Sequence, residues 1–343
     1  MRQVTWVVAA SRCPMGMEHY ESAIQDELQK VAPEDWRFHR RRLAGVRVAR
    51  WGDIPVPARA TSAPLTRRLI GSVVAGRLLS HRFDLRLPPG RFEVITIHDL
   101  PPLRFTDEGS IPRTSAREAR AARRIICPSH FAASEVSELL GTSQPVVIPY
   151  GLSDAFVEPV PAASKHLAAL GIQGPFVLHA AGASDRKNLS GLAGAWEALD
   201  WKEGSLVLCG PPDERRDRLF RHLKQVVLLG RQTAPTVAGL MKASAAVVVP
   251  SLYEGFGLPA LEGMACGVPV VAARCGALPE VVGDAGLLVD PTAEALANGL
   301  DMALHDSTLR SKLATAGPQR AKTFSWRTAA QDHLAVYEQA FES

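Results

Sequence analysis

The sequence predicts an α/β protein made of two parallel-sheet domains. Three observations carry that expectation. At 343 residues the chain exceeds what one hydrophobic core ordinarily serves, so about two domains follow from length. Short apolar, β-branched runs recur along it and lead into loops holding glycine, serine or proline, as strands buried on both faces do. Between them stand segments with apolar residues at helical spacing, the alternation that parallel sheets need. Composition agrees, with 46% apolar and 22% charged residues, and no uninterrupted apolar run approaches the roughly 20 residues of a membrane span.

Residues 4–10 read as the first strand. The run follows a single arginine and leads straight into Arg12, with an apolar core at the short limit for a secretory leader. A turn over 11–16 and a helix over 18–31, with Ala23, Ile24 and Leu28 inward, complete the first βα unit. The stretch 51–90, rich in proline, arginine and small residues, holds a basic amphipathic helix over 64–79. The next clear strand, 92–97, ends in His98-Asp99 before a proline pair. A histidine at the carboxyl end of a parallel strand is placed to meet a ligand, although a buried histidine satisfied by a backbone group, with Asp99 capping a turn, fits the same residues. A strand over 123–128, a helix capped by Ser129 and running to Leu140, and a short strand at 146–149 follow. Polar, proline-bearing residues 152–161 link a first domain, 1–155, to a second spanning 165–325, with a final helix in 326–343.

The second domain opens with a strand at 176–180 and a loop carrying Arg186-Lys187, adjacent cations that suit a diphosphate or a plain surface turn. A helix over 189–199, strands at 206–210 and 226–230, and a helix at 234–244 lead to the most informative stretch, 245–291. There a strand, 245–250, runs into a glycine-bearing loop and a helix in which Pro259 suits a first helical position, stopped by Gly267 and Pro269 before the next strand. Glu254 falls in the loop at a strand's carboxyl end and Glu262 about one turn into the helix, so both can face one crevice. Gly255 and Gly257 let the backbone approach a ligand, and the helix start beyond them offers unpaired N–H groups to an anion. Two carboxylates beside such donors suit a polyhydroxylated ligand carrying phosphate. Ordinary strand–loop–helix packing, with Glu262 favoured only by the helix dipole, explains the same pattern. A dinucleotide site is the other reading of Gly255-Phe256-Gly257-Leu258-Pro259-Ala260, but the following strand ends in Ala272-Ala273-Arg274 rather than in an acid for a ribose, which argues against NAD.

The run PSLYEGFGLPALEGMACGVPVV, followed by GALPEVVGDAGLLVDP, resembles the donor-site signature of glycosyltransferase family 4, whose motif is two glutamates separated by seven residues, as Glu254 and Glu262 are. The resemblance covers most of 92–341. It implies the GT-B fold: two Rossmann-like domains with parallel sheets facing across a cleft, the last helix crossing back to the first domain. It also implies retaining transfer of a hexose from a nucleotide-diphosphate-sugar to an acceptor hydroxyl of a glycan, a lipid-linked glycan or a natural product, with no metal and no cofactor beyond the donor. Donor binding then falls to Arg186, Lys187, Glu254, Gly255, Phe256, Gly257, Leu258 and Glu262, with Glu254 by the sugar ring and Glu262 on the ribose. Catalysis falls to Glu254, Lys187 and His98, the last through the family's strand-end His-Asp. The first loop, with Gly16, and Asp99 are assigned to acceptor or donor.

This sequence departs from the family at three places. Gly16 is alone where that loop is usually glycine-rich, Tyr150 replaces a more usual Asn, and Gly182 stands where many members have an Arg. Rival functions are a nucleotide-sugar epimerase or hydrolase, which turns donor over without acceptor, and a non-catalytic nucleotide-sugar-binding protein.

Charge is uneven. Residues 1–150 hold 22 Lys/Arg against 15 Asp/Glu, a net of +7, and the remainder 17 against 20, a net of −3. The set Arg37, Arg40, Arg41, Arg42, Arg47 and Arg50, with Arg67, Arg68, Arg77 and Arg82, suits either a solvated surface, the favoured reading, or contact with anionic lipid or a phosphorylated acceptor. No aromatic–basic interleaving points to nucleic acid. Cys13, Cys127, Cys209, Cys266 and Cys275 are odd in number and without C-x-x-C spacing, which fits a reduced, cytoplasmic, metal-free chain, peripheral at most to the inner membrane face.

Overall fold

The computed structural model describes residues 1–10, 16–45, 52–56, 63–158 and 160–342. They form two compact units, 1–151 with 325–343, and 152–324. Arg12, Cys13, Arg47, Arg50 and most of the first loop lie outside the described residues.

The first unit is a seven-stranded parallel sheet. In chain order come β1 (Arg2–Ala9), α1 (Gly16–Val31), β2 (Trp36–Gly45), β3 (Ile54–Val56), α2 (Pro64–Ala75), β4 (Leu79–Arg82), β5 (Phe92–Thr96), α3 (Ser115–Ala121), β6 (Arg124–Cys127), α4 (His130–Leu140) and β7 (Val146–Val147). The strand order is β3-β2-β1-β4-β5-β6-β7, so the direction of winding reverses between β1 and β4. Ser129 caps α4 as expected, its hydroxyl accepting from the Ala132 N–H.

Two parts of the arginine-rich region differ from the sequence reading. Residues 36–45, read as a charged block, are strand β2: Trp36 and Leu43 are buried and Phe38 stacks on Trp6 at 4.5 Å, while Arg37, Arg40, Arg41 and Arg42 stay exposed. The helix expected over 64–79 ends at Gly76, whose φ of +67° suits a glycine, and the chain re-enters the sheet as β4. Arg67 and Arg82 are therefore not solvated. They are 1% and 0% exposed and bind Glu118 and Glu93, Arg67 Nε to Glu118 Oε1 at 2.8 Å, Arg82 Nη1 to Glu118 Oε2 at 2.7 Å and Arg82 Nη2 to Glu93 Oε1 at 3.0 Å. Two buried cations against two buried anions leave no net charge inside, the condition under which such a cluster is tolerated.

The last helix, α13 (Trp326–Glu342), belongs to this unit and carries one end of a buried polar chain. Trp6 Nε1 donates to the Tyr337 hydroxyl (3.2 Å), and His81 contacts Tyr337 through Nδ1 (2.6 Å) and the Thr96 hydroxyl through Nε2 (2.8 Å). Tyr20 meets Thr96 (3.4 Å) and His333 Nε2 (2.9 Å), and His333 Nδ1 lies 2.7 Å from the Ala329 carbonyl. That carbonyl can only accept, which puts the His333 proton on Nδ1. Each preceding group then donates in one direction, from Trp6 through Tyr337, His81, Thr96 and Tyr20 to His333. Every member is neutral, and burial pushes both imidazoles below their usual pKa, His333 to about 4.

The second unit has a six-stranded parallel sheet in the order β10-β9-β8-β11-β12-β13, again with one reversal, between β8 and β11. Its elements are α5 (Ser164–Ala169), β8 (Phe176–Ala180), α6 (Leu189–Ala198), β9 (Ser205–Cys209), α7 (Glu214–Phe220), β10 (Val226–Gly230), α8 (Ala234–Ala243), β11 (Ala246–Val249), α9 (Leu258–Ala265), β12 (Val270–Ala273), α10 (Leu278–Val282), β13 (Leu287–Val289), α11 (Ala293–His305) and α12 (Ser307–Ala321). All four residues of β11 and of β12 are buried, as β-branched runs in the middle of a doubly covered sheet should be. Residues 152–161, read as a polar linker, start this unit instead. Phe156 is 2% exposed, and the Ala162 N–H bonds the Gly239 carbonyl on α8 at 3.0 Å.

Candidate active site

In an open parallel sheet, ligands settle outside the carboxyl ends of the strands where the winding reverses. In the second unit that point lies between β8 and β11, and the loops leaving those two strands carry Arg186, Lys187 and Glu254. Lys187 Nζ lies 2.7 Å from Glu254 Oε1, which also accepts from the Ser251 hydroxyl at 2.7 Å, and Arg186 Nη1 lies 3.3 Å from Glu254 Oε2. Lys187 and Glu254 are 7% and 6% exposed, and Arg186 is half-buried. Burial pushes the Glu254 carboxyl up, but Lys187 and Arg186 outweigh it and hold the group below its ordinary value, ionised at neutral pH.

Both loops are pinned. Asn188, in the left-handed conformation at φ +53°, caps α6 by accepting from Gly191 N–H, and its amide donates to the carbonyls of Pro250 and Pro291, both at 3.0 Å. It thereby ties the loop after β8 to the loop after β11. Glu254 is braced from behind: its carbonyl accepts from Ala277 N–H at 2.9 Å, and a Cβ on Gly276, which has φ +59°, would lie 2.7 Å from that carbonyl oxygen. The turn before Leu278-Pro279-Glu280 thus has a positioning task, while Glu280 itself sits in the first turn of α10.

Gly257 caps α9 with φ +106° and supplies no side-chain acceptor, so the start of that helix is open to an anion. A Cβ there would lie 2.7 Å from Leu278 Cδ2. Gly255 is buried, Leu258 half-buried, and Phe256 turns its ring inward against Phe324, with centroids 5.6 Å apart, which leaves only its backbone for a ligand. Glu262, half-buried on α9, has its carboxyl pushed up to about 8 by burial, so it is protonated at neutral pH and can both donate to and accept from hydroxyls.

The first unit holds the other predicted residues. His98 follows β5, and its Nδ1 is bonded to the Tyr150 hydroxyl. Burial lowers its pKa to about 4, with Asp84 and the Phe83 carbonyl offsetting only part, so the ring is neutral and its Nε2 is buried without a hydrogen-bond partner in good geometry. Tyr20 packs edge-on against the same ring at 4.8 Å. Tyr150, the departure from Asn, is thus what orients His98. Asp99 is half-buried beside it, and Gly16 opens α1. Among the described residues no group of three or more His, Cys, Asp or Glu could hold a metal ion.

Sequence reasoning missed four contributors. Ser251 and Asn188 were visible only as members of motifs. Arg216 is 2% exposed on α7 and bonds the carbonyls of Ala181 (2.7 Å) and Pro211 (3.2 Å), holding the two loops after β8 and β9. His179, in β8, gives Nδ1 to the Val248 carbonyl at 3.1 Å, with its pKa lowered to about 4 by burial. No local pattern marks either as buried; an Arg three residues into a helix rich in Arg and Asp reads as surface.

The model of the family "Glycosyl transferases group 1" matches residues 167–320. The O-antigen chain mannosyltransferase B of Escherichia coli is 31% identical over 278 residues, covering 76% of this chain and 72% of its own. The D-inositol 3-phosphate glycosyltransferase of Jonesia denitrificans is 38% identical over 146 residues, 39% of this chain and 34% of its own. Among solved structures, sucrose-phosphate synthase from Thermosynechococcus elongatus superposes with a TM-score of 0.78 at 22% identity, covering the whole of both chains. Anabaena HepE in complex with UDP-glucose gives 0.75 at 19% identity, covering 98% of this chain and 99% of its own. The fold is that of these two-domain GT-B proteins, and the chain belongs to the group 1 glycosyltransferases, enzymes that transfer a glycosyl group from a nucleotide sugar.

Proposed function

We propose that the protein is a retaining transferase of family 4 that moves a hexose from a nucleoside-diphosphate hexose to an acceptor hydroxyl, with no metal ion and no further cofactor. The observation that carries this reading is the cluster of Lys187, Arg186 and Glu254 at the reversal between β8 and β11, beside the uncapped start of α9. When the glycosidic bond to phosphate breaks, negative charge grows on the diphosphate. The two cations and the backbone N–H groups near Gly257 and Leu258 are aimed where that charge develops, and in a buried site such preorganised donors act strongly. Glu254, ionised, stabilises the positive charge that develops on the sugar ring. Glu262, whose carboxyl burial pushes up to about 8, takes the ribose hydroxyls. His98 is assigned to the transferred sugar, and Asp99 and Gly16 to acceptor or donor.

A hexose donor is supported by two similar proteins, a mannosyltransferase and a protein solved with UDP-glucose. The acceptor belongs to the class of glycans, lipid-linked glycans or small natural products. The first unit offers a surface for peripheral contact with the cytoplasmic face of a membrane. On α2, Leu65, Leu69 and Val73 are 85%, 66% and 75% exposed at four-residue spacing, with exposed Arg68 and Arg77 beside them, while Arg67, Gly71 and Ala75 seat the opposite face. Among the described residues no helix is long and apolar enough to cross a bilayer.

The test is transfer itself. Incubation with donor and acceptor in the presence of a chelator should give a product whose anomeric configuration, read by proton NMR, matches the donor's, and Glu254→Ala should form none. An inverted product, or full activity in Glu254→Ala, overturns the reading.

A further inference from the structure

Glu254 is bound to the same two cations that the donor's diphosphate needs. Its Oε1 holds Lys187 at 2.7 Å and its Oε2 holds Arg186 at 3.3 Å, and Ser251, 0% exposed, donates to Oε1 from behind. Without an anion at this place, two adjacent cations would face each other in a largely buried pocket, which costs far more than it would in water. A carboxylate with one charge meets that need, and a diphosphate with two or more meets it better. Lys187 has three N–H donors and could touch both, but a carboxylate and a diphosphate side by side on the same buried cations repel each other, so the more highly charged ligand competes with Glu254 for them.

The backbone of Glu254 is fixed by Ala277 and Gly276, whereas its carboxylate is held by contacts that another anion can replace. We propose that Glu254 is the built-in counter-anion of the donor site: the incoming diphosphate displaces its carboxylate from Lys187 and Arg186, and the displaced carboxylate turns to the sugar ring. This rests on the donor-site reading given above and adds an order of events to it. The charge that stabilises the sugar is released only when phosphate is in place, so an empty site keeps Glu254 tied and a loaded site frees it. The exchange also sets donor affinity, since binding works against the carboxylate already present.

Titration calorimetry with UDP and GDP, and with uridine and guanosine as phosphate-free controls, tests this on the wild-type protein, Glu254→Gln and Ser251→Ala. Whichever diphosphate the wild type binds should bind Glu254→Gln about tenfold tighter, although transfer is lost, while the matching nucleoside binds both proteins equally. Ser251→Ala keeps every charge and loosens only the contact that steadies the carboxylate, so it should bind the diphosphate about two- to threefold tighter. Equal or weaker diphosphate binding by a folded Glu254→Gln overturns the proposal. So does an unchanged Ser251→Ala beside a tighter Glu254→Gln, because through-space repulsion alone then explains the gain. Should Glu254→Gln fail to fold, Ser251→Ala decides the matter by itself. Wild-type protein that binds neither diphosphate refutes the donor-site reading itself, a result distinct from the others.

Discussion

Glu254 and Glu262, the two glutamates that the sequence singles out, differ in their surroundings more than in their spacing. Cations hold the first ionised, and burial holds the second protonated to about pH 8. Glu262 therefore binds a proton in the folded chain over the range, from its usual value of about 4.5 up to 8, in which the unfolded chain has released it. The stability it contributes is complete below that range and is lost as pH rises through 8. Between pH 6.5 and 8, above the range in which the buried histidines titrate, melting curves should show a fall in Tm that Glu262→Gln flattens; an identical fall in the variant contradicts the burial argument. Lys187→Met removes the cation nearest Glu254 and leaves that buried carboxylate with the longer contact to Arg186 and the neutral Ser251 hydroxyl. We expect transfer to drop by at least about a hundredfold, by analogy with the loss of an electrostatic stabiliser, while the fold survives at a cost of roughly 3 kcal/mol measured by denaturant. These residue types were legible because motif chemistry is local: a Glu in a glycine loop and a cation pair after a strand can be read in a line of text. Ser251, Arg216 and the Tyr150 partner of His98 were not, because each depends on what the fold brings alongside.

At the scale of elements, the loops after β8 and β11 act as one piece through Asn188. Asn188→Ala removes its bonds to Pro250 and Pro291 and also puts a residue with no left-handed preference at φ +53°. It should cost about 2–3 kcal/mol. Asn188→Gly restores the backbone but not the amide, so chemical denaturation should place it between wild type and Asn188→Ala; an order reversed between the two variants contradicts the division into backbone and side-chain parts. The strands of the second unit were easy to read because they are continuous apolar runs, and those expected at 176–180 and 226–230 coincide with β8 and β10. Strand β2 was hard for the opposite reason. Its apolar face is carried by Trp36 and Phe38 among four exposed arginines, a pattern that looks like charge rather than alternation until Trp6 is placed against it. Arg67 and Arg82 mislead similarly, since Glu118, the partner they share, is 51 and 36 residues further along the chain.

Over the whole molecule, acid stability should be set by neutral buried imidazoles. His98, His179 and His333 have pKa values lowered to about 4, and His81 lies well below its usual value. The unfolded chain takes up protons at these positions below about 6.5, where the folded chain does not, so stability falls as pH drops from about 6.5 towards 4. Tyr337→Phe removes both the donor to His81 and the acceptor for Trp6, and should cost about 1–3 kcal/mol by denaturant unfolding. A negligible cost means the buried chain does not hold α13 to the sheet of the first unit. The two parallel sheets were legible in outline from alternating strands and helices, but their strand order and single reversals were not. The junction was not: Phe156 makes residues 152–161 part of the second unit, which a polar, proline-bearing stretch does not reveal.

The most direct test of the donor site is thermal melting of wild type and Lys187→Met with UDP-, GDP- and dTDP-sugars, with a chelator present throughout. One nucleotide sugar should raise the wild-type Tm by several degrees and leave Lys187→Met nearly unmoved, since a ligand at a hundred times its Kd adds about 2.7 kcal/mol to the state that binds it. No shift with any donor, or an equal shift in the variant, would contradict the assignment of the diphosphate to Lys187 at the reversal between β8 and β11.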